Sequence, residues 1–280
     1  MSDKIIDPHI HFFNLNEGQY IWLQGEHPPA WPNLTQIKAP VSVEQLQSAC
    51  SFELEALVHI EAGFDNQAPI KELNWLATHL KDFAYKAISY SQIDAPNSQF
   101  INAITELRQP TLVGIRDITE GDDATRLCAP NSLENLAYLA AENLLFETQF
   151  EIENHAVTEQ LITYCQALPS LRVVINHLGF IKNPEHWLKA ITKLSRCNNI
   201  AIKFSGLEFS SLSKDTHRWL LKNLLNHFGE QRIMFASNFP VCQIEVDYSS
   251  CWLHYFSLCD THHIWQQLSN KNSRYIYQIS

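Results

Sequence analysis

His9 and His11 stand at the end of the apolar run Lys4-Ile5-Ile6-Asp7-Pro8-His9-Ile10. Residues two apart in an extended strand project from the same face, so both imidazoles point beyond the strand's C-terminal edge, and Asp7 shares that face. Two neutral imidazoles converging on one point suit a divalent metal or a polarised carbonyl, and an acidic residue one step below can fix the ring tautomers. Other ionisable or polar groups close later apolar runs: His59 and Glu61, Tyr90, Arg116, Glu147 and Gln149, His177, Lys203 and Ser205, and Asn238. Arg116 and Lys203, together with the histidines, would make a local cationic mouth that favours an anionic or polyhydroxylated small molecule. Glu147, Gln149 and Lys203 also fit a second role, as interior polar groups paired with one another.

The elements that must position these groups follow a regular beat. Helical spacing over 43–51, 70–80, 100–108, 132–142, 157–168, 184–195 and 214–228 alternates with short apolar runs at 56–63, 84–90, 112–117, 144–150, 173–179, 200–205 and 232–236, and a last helical region covers 252–268. Asn131 or Ser132 is placed to cap the 132–142 helix. Eight apolar strands alternating with helices, joined by right-handed crossovers, close into a parallel (β/α)8 barrel, in which chemistry sits at the C-terminal strand ends. An open doubly wound sheet would show a glycine-rich first turn, whereas here the first turn reads Asp7-Pro8-His9-Ile10-His11. Between the first strand and the first long helix lies Asn14 to Lys38, rich in proline and aromatics. Its prolines bar a continuous helix, and it reads as a lid or pocket wall in which Trp22 and Trp31 either cover the substrate or anchor the loop.

Composition narrows the class of partner. With 20 Lys and Arg against 30 Asp and Glu the formal charge is −10, which argues against nucleic acid or an anionic membrane, and the 45% apolar share is ample for a core. A small-molecule substrate is expected. No cationic segment leads into a long apolar run near the N-terminus, so neither a signal peptide nor a membrane span is expected, and the location expected is cytoplasmic. The seven cysteines form no Cys-x-x-Cys pair, which fits reduced, mostly buried thiols.

Six stretches, in order, resemble one family: Ile6-Asp7-Pro8-His9-Ile10-His11-Phe12, His59-Ile60-Glu61-Ala62, Gly114-Ile115-Arg116, Asn176-His177-Leu178-Gly179, Lys203-Phe204-Ser205-Gly206-Leu207, and Arg232 through Val241. Together they look like the amidohydrolase-2 branch of the amidohydrolase superfamily, which includes lactonases of pyrone dicarboxylates and of sugar acids. The resemblance covers nearly the whole chain. It implies a distorted TIM (β/α)8 barrel, a single domain over 1–280, and hydrolysis of a lactone or related ester or amide. The implied catalytic set is His177, Asn238 and Arg116, with His9, His11, His59, Glu61, Tyr90, Lys203 and Ser205 binding substrate.

One position departs from the pattern. In the hydrolases this chain resembles, the eighth strand ends in an aspartate that activates water, whereas here the stretch is Ala236-Ser237-Asn238-Phe239-Pro240. An amide cannot take a proton from water near neutral pH, and losing a positioned base costs about a hundred- to ten-thousand-fold in rate. Either another group is the base, or the reaction differs, or the protein binds without turnover. Among His177, His59, Glu61 and Glu147, His177 leads as base, because an imidazole ordinarily titrates near neutrality, at about 6.5. Asn238 would then hold the water or donate its amide hydrogen to the oxyanion. Two cofactor states are open: one divalent metal, zinc for example, on His9, His11 and His177 with an open position for water, or no cofactor, with His and Arg side chains polarising the carbonyl. The competing functions are a metal-dependent decarboxylase of the same superfamily and a catalytically silent binding barrel.

Overall fold

Each apolar run becomes a strand and each amphipathic run a helix on its outer side. The computed structural model describes residues 3–280; Met1 and Ser2, part of the N-terminal reading, lie outside the described residues. The strands are β1 (Lys4–Ile10), β2 (Glu53–Ile60), β3 (Tyr85–Tyr90), β4 (Leu112–Ile118), β5 (Leu145–Gln149), β6 (Val173–Ile175), β7 (Ile200–Phe204) and β8 (Ile233–Phe235). They form one parallel sheet in chain order. The connection from β1 to β2 holds two one-turn helices, α1 (Ile21–Gln24) and α2 (Leu34–Ile37), before α3 (Val43–Ala49). The later crossovers are α4 (Ile70–His79), α5 (Asn97–Glu106), α6 (Ser132–Ala141), α7 (His155–Ala167), α8 (Pro184–Leu194) and α9 (Lys214–Phe228).

After β8 come α10 (Tyr248–Leu258), α11 (His262–Gln266) and α12 (Asn272–Ile276), where one helical region over 252–268 was expected. Caps account for the difference: Asp247 accepts from the Ser250 amide to start α10 early, and Thr261 accepts from the Ile264 amide to start α11 afresh. At α6 the expected side-chain cap is not made, because the Ser132 hydroxyl donates to the Arg126 carbonyl instead, at 2.6 Å.

β8 and β1 meet beyond the strand ends. Ile10 bridges Phe239, the His11 amide donates to the Phe239 carbonyl at 2.7 Å, and the Ser237 amide donates to Asp7 at 3.1 Å. The barrel is therefore nearly closed and distorted at that seam. Strand alternation divides the apolar residues. Ile5, Leu57, Phe146, Ile202 and Phe235 face the helices, while Ile6, Val58, Ile88, Val113, Val174 and Met234 fill the interior with Ile276, Tyr277 and Ile279 from the C-terminal segment. That segment plugs one end of the barrel. All seven cysteines are free, and among the described residues no helix is long and apolar enough to cross a membrane.

Candidate active site

Burial, and next to it the charge of Lys203, holds the His9 imidazole well below its ordinary pKa; burial and then Arg116 do the same for His11. Both rings are therefore neutral near pH 7, and their partners fix which nitrogen carries the proton. His11 Nδ1 lies 2.8 Å from the Ile60 carbonyl, which only accepts, so Nδ1 holds the hydrogen and Nε2 the lone pair. His9 Nε2, 3.2 Å from His11 Nε2, must donate to that lone pair, which leaves His9 Nδ1 to accept from Lys203 Nζ at 3.2 Å. Lys203 also donates to Glu147 at 2.7 Å, and the other Glu147 oxygen accepts from the Tyr277 hydroxyl at 2.6 Å. One continuous chain of hydrogen bonds thus runs from the C-terminal plug to the paired histidines, with Glu147 accepting on both sides and Lys203 donating on both.

Asp7 takes no part in it. A register shift between Asp7 and Ile10 turns its carboxylate toward the seam, where it accepts from the His9 and Ser237 amides and the Tyr248 hydroxyl, each at 3.1 Å. The tautomers that Asp7 was expected to set are set by Lys203 and the Ile60 carbonyl.

The strand ends open into a cavity of about 640 Å³, a size suited to a small molecule. His11, Glu61, Tyr90, Arg116, His177 and Asn238 line it, and Trp22 and Trp31 from the long β1–β2 connection form part of its wall. His9 and Lys203 are fully buried and stand behind the wall. His59 faces outward, its Nε2 3.0 Å from Glu72 of α4, because β2 ends at Ile60 and the alternation that would align His59 with Glu61 ends with it. Ser205 is 2.9 Å from His177 Nδ1 and lies outside the main cavity.

The expected cationic mouth is not formed. Arg116 Nε and Nη2 bind Glu61 Oε1 at 2.9 and 2.7 Å, Nη2 also donates to the Glu61 carbonyl at 2.7 Å, and Nη1 donates to Gln149 at 3.1 Å. A second wall arginine, Arg126, is paired with Asp117 at 2.8 Å. Every cation lining the cavity, among the described residues, is already matched by a carboxylate, and Glu120 and Asp123 add further acidic groups.

His177 lies just past the end of β6, in an unusual backbone. It and the next three residues, Leu178, Gly179 and Phe180, have φ of 52, 55, 66 and 51°, a left-handed run of the kind that concentrates at functional sites. Gly206, itself at φ 74°, lies so close beneath that a Cβ there would sit 2.5 Å from His177 Cβ. Burial first, then Arg116 and Lys203, hold the His177 imidazole well below 6.5, so it is unprotonated near neutral pH. Asn238, at φ 59°, is among the residues lining the cavity, and its Nδ2 donates to Glu208. Glu208 was not anticipated. The signal was present, since it is the one acidic residue between Phe204 and Lys214, but nothing in the spacing said that the short turn Leu207–Phe209 would bring it to the end of β8.

A metal on His9, His11 and His177 does not fit this donor set. Among the described residues no group of three His, Cys, Asp or Glu side chains converges as ligands. The His9 Nε2 hydrogen is committed to His11, the neighbouring charges are the cations Lys203 and Arg116, and Asn238 supplies no anion.

A (β/α)8 barrel with histidines, an arginine and a polar β8 terminus gathered around a cavity at the C-terminal strand ends defines an enzyme-type barrel. The chain belongs to the amidohydrolase family (Amidohydro_2), whose model matches residues 6–261. It is 28% identical over 273 residues to the uncharacterised protein y4mH of Sinorhizobium fredii, covering 90% of each chain. It is 23% identical to L-fucono-1,5-lactonase of Burkholderia multivorans over 87% of this chain and 84% of that one. In fold it is similar to a crystal structure of an amidohydrolase from Burkholderia multivorans with bound zinc, with a TM-score of 0.79 at 19% identity and 99% of each chain covered.

Proposed function

We propose that this chain opens the lactone ring of a small, neutral, polyhydroxylated substrate. The observation that carries the reading is the unprotonated His177 on the cavity wall, its Nδ1 set against Ser205. With Nδ1–H donating to the Ser205 hydroxyl, Nε2 is left as the basic atom. A water held on Asn238 attacks the lactone carbonyl carbon and gives its proton to His177 Nε2. The N–H left on Arg116 Nη1 stabilises the oxyanion, the ring C–O bond breaks, and the proton returns to the departing alkoxide, giving a hydroxy acid. The name of the lactonase relative supports the reaction class.

The cavity charges favour a neutral polyol over an anion. Both wall arginines are spent on carboxylates, so an anionic substrate would meet no unpaired cation there, whereas carboxylates and amides accept bonds from sugar hydroxyls and the faces of Trp22 and Trp31 pack on the C–H faces of a ring. The test is hydrolysis of a panel of aldonolactones by the parent and by His177→Asn. Turnover that falls at least about a hundredfold in the variant supports the reading. A parent inactive across the panel, yet binding lactones, is a binding barrel.

A further inference from the structure

Glu208 is a half-buried acid that the scheme above does not use. The groups facing it are the Asn238 amide at the end of β8, Glu245 and Cys242 on the following turn, and Cys251 and Tyr255 of α10; among the described residues no cation is in this set. Among the described residues the side chain hydrogen-bonded to Glu208 is Asn238, and Asn238 also lines the cavity. An amide held this way has a fixed polarity. When Nδ2 donates to a carboxylate, Oδ1 is turned to the other side as an acceptor; when the carboxyl is protonated its O–H can bond Oδ1, and the amide then offers N–H to the cavity instead.

We infer that Glu208 is a positioning residue for the hydrolase site, whose ionised carboxylate locks the Asn238 amide so that Oδ1 faces the cavity and accepts a hydrogen from the attacking water. The loop after β7 thereby supplies the negative charge that the β8 terminus lacks in this chain. Burial, with a smaller push from Glu245 and opposed by the Asn238 bond, raises Glu208 to about 7. The locked form is therefore present above that value and lost as the pH falls through it. This rests on the hydrolase reading for its effect on rate, but not for the amide geometry itself.

The test follows the Asn238 side-chain amide resonances of 15N-labelled protein from pH 5 to 9, assigned by their loss in Asn238→Asp. The expected result is a titration near neutrality that disappears in Glu208→Gln, an isosteric variant whose folding is checked by its thermal midpoint. In lactone assays the acid limb of kcat/KM should move in Glu208→Gln from near neutrality to below 6.5, where His177 protonates, with the plateau lowered about tenfold, the scale of a charge-assisted bond made neutral. An Asn238 amide that does not titrate in the parent, or titrates unchanged in Glu208→Gln, overturns the inference whether or not any lactone is turned over. A titrating amide in a protein without lactonase activity leaves it standing and sinks the hydrolase reading alone.

Discussion

Replacing Lys203 with Met removes one partner of an ion pair in which both side chains are fully buried. Glu147 would keep only the Tyr277 hydroxyl as a donor, at 2.6 Å, and would stand as an uncompensated charge inside the barrel. Breaking such a pair from one side costs about 3–5 kcal/mol. For 280 residues the entropy of unfolding converts that cost into a fall in Tm of about 5–8 °C. The double variant Glu147→Gln with Lys203→Met removes the stranded charge, keeps an acceptor for Tyr277, and should recover about half of the loss or more. Neither variant should restore turnover, because His9 Nδ1 has lost the donor that fixes its tautomer. Calorimetric Tm values of the parent, both single variants and the double variant give the coupling directly. A Lys203→Met protein within 1 °C of the parent, or a double variant no more stable than Lys203→Met alone, would refute the view that the pair is held by mutual compensation.

Two other outcomes follow from the geometry. Gly206→Ala adds a methyl 2.5 Å from His177 Cβ at a position with φ 74°, so it should cost about 1–3 kcal/mol in urea unfolding and lower kcat more than it raises KM. His177 has a folded pKa below its unfolded value, so the stability it contributes is present above about 6.5 and is lost as the pH falls toward the folded value; the slope of unfolding free energy between pH 6.5 and 5.5 should drop by about 1 kcal/mol per pH unit in His177→Gln.

The barrel was legible because its strands are apolar runs of distinct length separated by amphipathic helices, and β1 to β8 fall where those runs lie. The ring of site residues was legible only in part. Glu61, Arg116, His177 and Asn238 close their strands and reach the cavity, but strand parity failed at Asp7 and His59, where a register shift and the end of β2 turn the side chains elsewhere. Charge was misjudged for a related reason. A count of cations at strand ends does not reveal that Arg116 is chelated by Glu61, and of the two roles open to Lys203 it is the fold that selects the buried pairing with Glu147, because such pairings depend on which neighbouring strand end each side chain meets. Glu208 was hidden furthest, on a short turn whose place beside Asn238 is a tertiary fact.

The most direct test of the proposed chemistry is a comparison of kcat/KM for a neutral aldonolactone and a dicarboxylated lactone, measured on chelator-treated protein whose metal content has been analysed. Hydrolysis of the neutral lactone at an undiminished rate after metal removal, with at least about a hundredfold preference over the charged one, is the result expected from a cavity whose cations are all paired. Preference for the dicarboxylate, activity that appears only when a divalent metal is restored, or no turnover of either would contradict it.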